Sequence, residues 1–542
     1  MFSEPVIGER FFGREEVLDL LNKRVSALKD GYRQNVALTG TSLAGKTSIL
    51  HHFLYNVKEE DFITVYIEVI KEPFRSFSNR FIATLLYNAL TKMGEACAVD
   101  AMSLLGKAQE LLPKTYAAIR SINSLVDKNE YDDAYFGLLR LTSTLKEEIK
   151  RSCVVILDEF DNLEYIGVKN PFLSFGKVIM IQKDTMYIVS SSRNQVFKKI
   201  LSEKLSLLFG NFEIVKVSGF DTDSARKFIM TRLAGFEMEP AVEKFLIAFT
   251  GANPFYLNQI VRKAKDIAGE NMSSHINSDV IADAATDLIF NANGVMHQYL
   301  LNYILDLLDT RHKERWMAIL VSIAGLRNKL ADISKSVKAK QSEVTKDLAA
   351  LCEVGLISKN GVFYRIDDPV LGFWLKNVYQ KRKEVVVDGI FNRFELFSSE
   401  FKAYISEFIT DSQKSAYEKT VQLFNSFSNE LVQIGSKNLR LPHFTRVEIA
   451  RGQGEGQFIA ATFRGATWLA RPYEDIVCEN NIIDYIRLAK SAGYKVTNKI
   501  IISLKGIEEN AKLLAKELKI SIWDISTFNN LLEFYGNKRV VI

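Results

Sequence analysis

Cysteine is scarce in this 542-residue chain, with only Cys97, Cys153, Cys352 and Cys478, far apart and without a CxxC pair. That spacing argues against a structural zinc site. Scattered thiols suit a reducing compartment, each acting as a small buried hydrophobe. No apolar run approaches the roughly eighteen residues of a membrane-spanning helix. The opening MFSEPVIGERFFGREE has no basic stretch followed by an apolar one, so no secretory signal is legible. A soluble cytoplasmic protein with no membrane partner is expected. Internal repeats and low-complexity tracts are also missing. Charge of one sign is not in large excess: 70 Lys and Arg against 65 Asp and Glu leave +5, which permits nucleic-acid binding without pointing to it.

The length is too great for one hydrophobic core and predicts roughly two to four domains. Over residues 1–220, short β-branched runs alternate with helix-length segments. The runs are Asn35–Thr39, Phe62–Val69, Cys153–Leu157, Tyr187–Ser190 and Phe212–Val217. Such spacing predicts crossover helices and a parallel, helix-flanked sheet of α/β class. Helical periodicity then dominates residues 221–310, with helices at Thr222–Leu233, Glu239–Thr250 and Pro254–Ala268 followed by a connector.

Residues 311–380 read as three helices and a hairpin. Trp316, Ile319, Leu320 and Ile323 recur at helical spacing. Ser342–Val354 ends at Gly355, and Asn360-Gly361 turns between two short strands. Helices followed by such a hairpin make a winged helix-turn-helix. From 390 to 542 a smaller α/β domain is expected, beginning with a helix around 413–434. Strands follow near Arg446–Ala450, Gln457–Phe463 and Thr467–Pro472, then a helix at Asn480–Ala492. A strand at Lys499–Ser503, a helix at Glu508–Leu518 and a strand at Ile520–Asp524 come last, before a short helix.

The sharpest local pattern is Gly40-Thr41-Ser42-Leu43-Ala44-Gly45-Lys46-Thr47, which fits G-x-x-x-x-G-K-[ST]. A β-branched strand precedes it, and Ser48 continues into a helix. In such a P-loop the glycines let backbone N–H groups curl around phosphates. The helix N-terminus adds positive potential at the same point. Lys46 would bridge the β- and γ-phosphates of ATP, and the Thr47 hydroxyl would ligate Mg²⁺. Residues 40–48 are therefore the candidate nucleotide-binding residues.

The run Val154–Leu157 ends in Asp158-Glu159, an acidic pair at a strand's carboxyl end, where doubly wound sheets bind ligands. Asp158 would hold Mg²⁺ and Glu159 would polarise the attacking water as general base. Asp161 fits a helix cap. The next strand ends in Ser190-Ser191-Ser192-Arg193, where a serine could sense the γ-phosphate and Arg193 could stabilise transferred charge.

Four stretches now stand in order: Phe11-Phe12-Gly13-Arg14-Glu15-Glu16, the P-loop, Leu157-Asp158-Glu159-Phe160-Asp161 and Gly251-Ala252-Asn253-Pro254-Phe255-Tyr256-Leu257. Together they resemble the archaeal-type ATPases of the signal-transduction (STAND) branch of the AAA+ superfamily, which are related to origin-recognition ATPases. The resemblance covers about residues 8–375, including Ile366–Trp374. It implies that Gly13-Arg14-Glu15 packs near the adenine. It also implies that residues 221–310 form a helical lid in which Pro254 touches the nucleotide. No lid arginine stands out in this sequence.

The C-terminal unit resembles the restriction-endonuclease-like domains fused to such ATPases. Active members carry an Asp on the second core strand and Glu-x-Lys on the third, holding Mg²⁺. Gln457–Phe463 and Thr467–Arg471 carry neither, and Glu430 and Glu448 are isolated. A nuclease relic used for binding is expected.

Lys329, Lys335, Lys338, Lys340 and Lys346 cluster around the expected recognition helix, where Ser342, Thr345 and Lys346 are types that reach phosphates and bases. This makes double-stranded DNA a candidate partner. A latch packed against the nucleotide domain, or plain solvation, explains the same lysines. The expected function is a slow ATPase switch whose nucleotide state rearranges the winged helix and C-terminal domain, on DNA or with protein partners. The alternatives are an ATP-gated nuclease and a non-catalytic nucleotide-binding scaffold.

Overall fold

The computed structural model describes residues 4–57, 62–96, 99–205, 210–308, 311–384, 390–435, 437–451, 456–491 and 493–542, so that Cys97 and Ala492 lie outside it. The chain divides into two compact units: residues 1–219 with 353–355, and residues 220–352 with 356–542.

The first unit is built on five parallel strands: β1 (Asn35–Thr39), β2 (Phe62–Glu68), β3 (Ser152–Asp158), β4 (Thr185–Ser191) and β5 (Phe212–Lys216). Their order is β2-β3-β4-β1-β5. The two-residue period of a strand sorts their side chains onto two faces. Val36, Leu38, Val154, Ile156, Met186 and Ile188 pack on one face with α1 (Glu15–Lys29) and α2 (Lys46–Asn56). Ala37, Ile63, Val65, Ile67, Val155, Leu157, Tyr187 and Val189 pack on the other. There they meet α3 (Phe74–Lys92), α4 (Ala101–Leu111), α5 (Pro113–Asp127) and α6 (Tyr131–Ile149), all lying between β2 and β3 in sequence. Helices on both faces favour apolar residues along the central strands, and every residue of β1 and β4 is buried. Polar residues therefore concentrate at the strand ends, which is what places the site.

The second unit begins with helices at Thr222–Leu233, Pro240–Thr250 and Pro254–Glu270. The helix Ile390–Ser412 sets Phe401, Tyr404 and Phe408 edge-on against Phe245, and Phe401 and Tyr404 against Phe249 as well. Aromatic rings bring large buried area and prefer this edge-to-face geometry. Helices Lys313–Ala324, Leu330–Ser336 and Gln341–Glu353 precede a hairpin of Ile357–Asn360 and Phe363–Ile366. The hairpin's two loop residues are Gly361 and Val362, with Gly361 at φ +58°.

A second five-stranded sheet closes the chain, in the order Arg446–Arg451, Gln457–Phe463, Ala466–Tyr473, Val496–Ser503, Ile520–Asp524. Its first three strands are antiparallel neighbours and its last three are parallel. One expectation fails here. The helix predicted around 413–434 spans only Ala416–Asn425, started by a Ser415–Glu418 capping box. A hairpin of Glu430–Ile434 and Lys437–Leu441 follows. Leu431, Val432 and Ile434 can be read as helical or extended in isolation. Packing decides, since Val432 and Leu441 enter the core of the C-terminal sheet.

Candidate active site

The P-loop leaves β1 and enters α2. Gly45 at φ +96° and Leu43 at φ +59° turn the backbone into a cradle. Gly40 has no room for a side chain, because a Cβ there would lie 2.0 Å from the Val217 carbonyl oxygen just past β5. Lys46 is buried, 4% exposed, and its ammonium donates to the carbonyls of Gly40 (3.1 Å) and Thr41 (2.9 Å). Among the described residues no carboxylate forms an ion pair with this buried ammonium, although Glu159, Asp158 and Asp161 act on it through space, and a phosphate group would supply the matching anion. Ala44 is buried, and the Ser48 hydroxyl accepts from the Val6 N–H at 3.1 Å.

Arg14 sits in the left-handed region at the start of α1. Its guanidinium donates to the Ala44 carbonyl (3.2 Å) and the Ser218 carbonyl (2.5 Å), tying the P-loop to the segment after β5.

The acidic residues lie at the carboxyl end of β3. Asp158 is 1% exposed, and its Oδ2 accepts from the Thr47 hydroxyl (2.7 Å) and the Tyr66 hydroxyl (3.0 Å). Its Oδ1 accepts from the Ser190 hydroxyl and from the Glu159 N–H (3.1 Å). Three consecutive serines each take a different acid. Ser190 donates to Asp158, Ser191 to Asp161 (2.6 Å), and Ser192 to Glu159 through its hydroxyl (2.5 Å) and its N–H (3.2 Å). Strand alternation explains the sorting: Ser190 and Ser192 face one way and Ser191 the other.

Asp161 is buried at 1% exposure and binds the Arg193 guanidinium, which also donates to Asn162 (3.1 Å). Asp161 caps no helix. It lies inside the 3₁₀ turn Phe160–Tyr165 and is an ion-pair partner.

Burial sets the electrostatics. It pushes the Glu159 carboxyl up, with Asp158 and Asp161 adding to the rise while Lys46 and Ser192 oppose it. It pushes the Lys46 ammonium down against the pull of Glu159, Asp158 and Asp161. Both directions have the same cause, the cost of holding charge away from water. A carboxyl held above its usual range beside a fixed acid is the pattern of a general base.

Thus the structure brings Lys46, Thr47, Asp158 and Glu159 together, with Arg14 behind the loop. Arg193 stands apart in role, its guanidinium engaged by Asp161 and Asn162. Pro254 opens the helix Pro254–Glu270 in the second unit, after an Asn253 side chain that accepts from the Phe255 N–H. Tyr66 was not anticipated from sequence. It shares its strand with two other polar residues, Thr64 and Glu68, so its sequence context did not single it out.

In the second unit, Lys335, Lys338, Lys340 and Lys346 are exposed, as are Ser342 and Thr345. Among the described residues none of these four lysines forms an ion pair. Lys329 does not join them. It pairs with Glu430 (2.7 Å) over the Phe363 ring. The backbone of the hairpin's loop is held against the next hairpin, while the Val362 side chain stays exposed. A Cβ on Gly361 would lie 1.9 Å from the Leu431 carbonyl oxygen, and the Val362 N–H donates to that carbonyl at 3.0 Å. Asn360 exchanges hydrogen bonds with the backbone of Gln433. Glu448 is taken by Arg446 (2.6 Å) and Tyr494 (3.3 Å). Among the described residues no three His, Cys, Asp or Glu side chains form a metal-ligand group.

A glycine-lined loop with a buried lysine, opposite an acidic strand end on a parallel sheet, defines a P-loop nucleotide site. Residues 11–260, a little under half of the chain, are similar to a family model described as an ATPase domain predominantly from Archaea. No curated protein matches the chain. Among solved structures, the Walker-type ATPase of Pyrococcus abyssi is 15% identical, covering 69% of this chain and 99% of its own, at a TM-score of 0.44. The Aeropyrum pernix ORC2 protein is 13% identical over 71% and 98%, at 0.42. The Thermotoga maritima RuvB Holliday junction branch migration motor is 14% identical over 68% and 96%, at 0.33. Among the described residues no helix is long and apolar enough to cross a membrane.

Proposed function

We propose that this protein is an ATP-hydrolysing switch. The observation that supports this most is the convergence of Lys46, Thr47, Asp158 and Glu159 on the P-loop. Lys46 and the N–H groups of residues 41–48 hold the phosphates of ATP. Thr47 and Asp158 are the residues that fit Mg²⁺, which screens phosphate charge when bound. Glu159 takes a proton from a water that attacks the γ-phosphorus. The bridging bond breaks, and ADP and phosphate leave. Ser192 holds both oxygens of Glu159, one through its hydroxyl and one through its N–H, and so orients the base. Arg14 braces the loop. Arg193 fixes Asp161 and thereby the turn after β3, acting as a positioning residue. Pro254 is carried as a nucleotide contact from the family resemblance.

Hydrolysis alone does no work, so the nucleotide state must be read by another part of the chain. The exposed, unpaired lysines around the helix Gln341–Glu353 favour double-stranded DNA as the second ligand. With the backbone of its hairpin loop held by Leu431, the winged helix would meet DNA mainly through that helix. The closing sheet has the strand order 1-2-3-4-5 with its second strand reversed, which suits a restriction-endonuclease-like domain in a cytoplasmic ATPase. Both candidate carboxylates are engaged in ion pairs, so we read this domain as a binding relic.

ATP turnover and ATP binding measured on Lys46→Ala test the core of the proposal, because both should fall together. Turnover that survives this change would sink it. Salt-dependent DNA binding that Lys340→Glu and Lys346→Glu abolish would support the DNA ligand, and salt-independent or absent binding would remove it. Mg²⁺-dependent cutting of plasmid by the full chain would overturn the relic reading.

A further inference from the structure

Asp158 is saturated. A carboxylate offers about four lone-pair positions, and here Thr47 and Tyr66 fill those on Oδ2 while Ser190 and the Glu159 N–H fill those on Oδ1. An acid in this state has no acceptor left for the water shell of a metal ion, so one donor must leave before a metal is taken up. The four donors differ in freedom. The Glu159 N–H belongs to the backbone at the strand end. Ser190 is fully buried on β4, and a serine hydroxyl has only one short bond about which to move. Thr47 can ligate a metal through its oxygen and keep donating its proton to Asp158.

Tyr66 differs from the other three. It lies on β2, paired in register with Ile156, and its half-buried ring reaches along the sheet to the acid. The ring packs at 4.3 Å, tilted by 52°, on the imidazole of His51, one helical turn beyond Thr47. Its hydroxyl belongs to none of the elements that bind the nucleotide. Turning the O–H proton about the C–O bond withdraws the donor from Oδ2, and a χ1 change of the half-buried ring moves the oxygen away, so no backbone moves.

We propose that Tyr66 is a placeholder on Asp158: its hydroxyl occupies the acceptor position that a metal-bound water takes over, so it competes with the metal and keeps the acid oriented in its absence. This rests on Thr47 and Asp158 being the metal-binding pair. Two consequences follow from competition that simple support for Asp158 would not produce. Removing the hydroxyl strengthens metal uptake instead of weakening it, and it lowers the stability of the metal-free protein only.

The test is a titration of a fluorescent ATP analogue into wild-type protein and Tyr66→Phe, with EDTA and over a series of Mg²⁺ concentrations. Analogue affinity in EDTA should be the same within about twofold. The Mg²⁺ concentration giving half of the metal-dependent gain should fall by about tenfold in Tyr66→Phe, the lower end of what one hydrogen bond to a charged group is worth. The melting temperature in EDTA should fall, and the difference should close in Mg²⁺ with nucleotide. On an Asp158→Ala background the same change should shift nothing, because the competed acceptor is gone. Tyr66→Leu, which also lacks the hydroxyl, should move the Mg²⁺ midpoint in the same direction if the phenylalanine variant is not recovered. An unchanged or raised midpoint overturns the placeholder and makes Tyr66 a support for Asp158. Loss of affinity in EDTA overturns it as well. Wild-type protein that binds the analogue with no Mg²⁺ effect would instead refute the metal-binding pair, and the placeholder with it.

Discussion

The two five-stranded sheets of this protein end in opposite ways. At the carboxyl end of β3, Asp158, Glu159 and Asp161 sit side by side, and three serines plus Lys46, Thr47 and Arg193 are arranged around them. At the carboxyl ends of the parallel strands in the second sheet, the polar residues serve their own backbone. Asp524 caps the helix Ile525–Phe534 and the Ser503 hydroxyl donates to the Gly506 carbonyl. Arg471 lies over the Tyr473 ring. Both ends have the geometry that binds ligands in α/β proteins. The first sheet brings buried charges together, and the burial shifts Glu159 and Lys46 in opposite directions. In the second, Asp524 and Ser503 are taken up by backbone groups within three residues of them. A sheet edge offers a place for chemistry, and the residues set on it decide whether chemistry occurs.

That contrast can be broken or sharpened by measurement. The largest effect should come from Glu159→Gln, which should lower ATP turnover by about 10²–10⁴-fold while ATP still binds. Unchanged turnover would leave the first edge no more catalytic than the second. Gly361→Ala should be the most disruptive change in the second unit, since it drives a Cβ into the Leu431 carbonyl at a left-handed position. A loss of about 2–4 kcal/mol in urea unfolding is expected, and a loss under about 0.5 kcal/mol would show that the hairpin is not held there.

Glu430→Gln should cost less, about 1–2 kcal/mol, because it breaks the charged contact with half-buried Lys329. Burial pushes the Glu430 carboxyl up, but Lys329, the Ser428 N–H and Tyr535 outweigh that and hold it below its usual 4.5. A depressed carboxyl stabilises above its unfolded value, so this contribution should vanish as pH falls through the lowered folded value. The mutant should show less of that acid dependence than wild type. The smallest effect is a displacement of the acid limb of ATP turnover. Glu159 is raised, so activity should be lost on acidification above the usual glutamate value of 4.5. A limb at or below that value would remove Glu159 as the titrating base.

Much of the first unit was legible because its central strands, β1, β3 and β4, are buried on both faces. Such strands read as short, largely apolar runs, and all five strands were located to within a few residues. The P-loop was legible because its glycines answer to backbone geometry: Gly40 has no room for a Cβ and Gly45 has positive φ. The helix Thr222–Leu233 matched its predicted ends because Asp221 caps it. The Glu430–Leu441 hairpin was misread, since short apolar runs carry no period long enough to separate helix from strand. Lys329 was placed with the exposed lysines because charge on a local sequence does not show which side of a hairpin will be covered.

The sequence by itself determined the parallel nucleotide-binding sheet, the P-loop and the acidic pair at Asp158-Glu159. These depend on local periodicity and on backbone shapes that few residues can adopt. Only the tertiary structure decided which groups meet. It gave Ser190, Ser191 and Ser192 one acid each, turned Arg193 onto Asp161, brought Tyr66 to Asp158, and paired Lys329 with Glu430. Each of those contacts except Lys329–Glu430 joins neighbouring strands or the turns that follow them, and all join residues about 30 or more apart in sequence. Hydrogen bonds and ion pairs depend on distances of a few ångströms, which the order of residues along the chain does not contain.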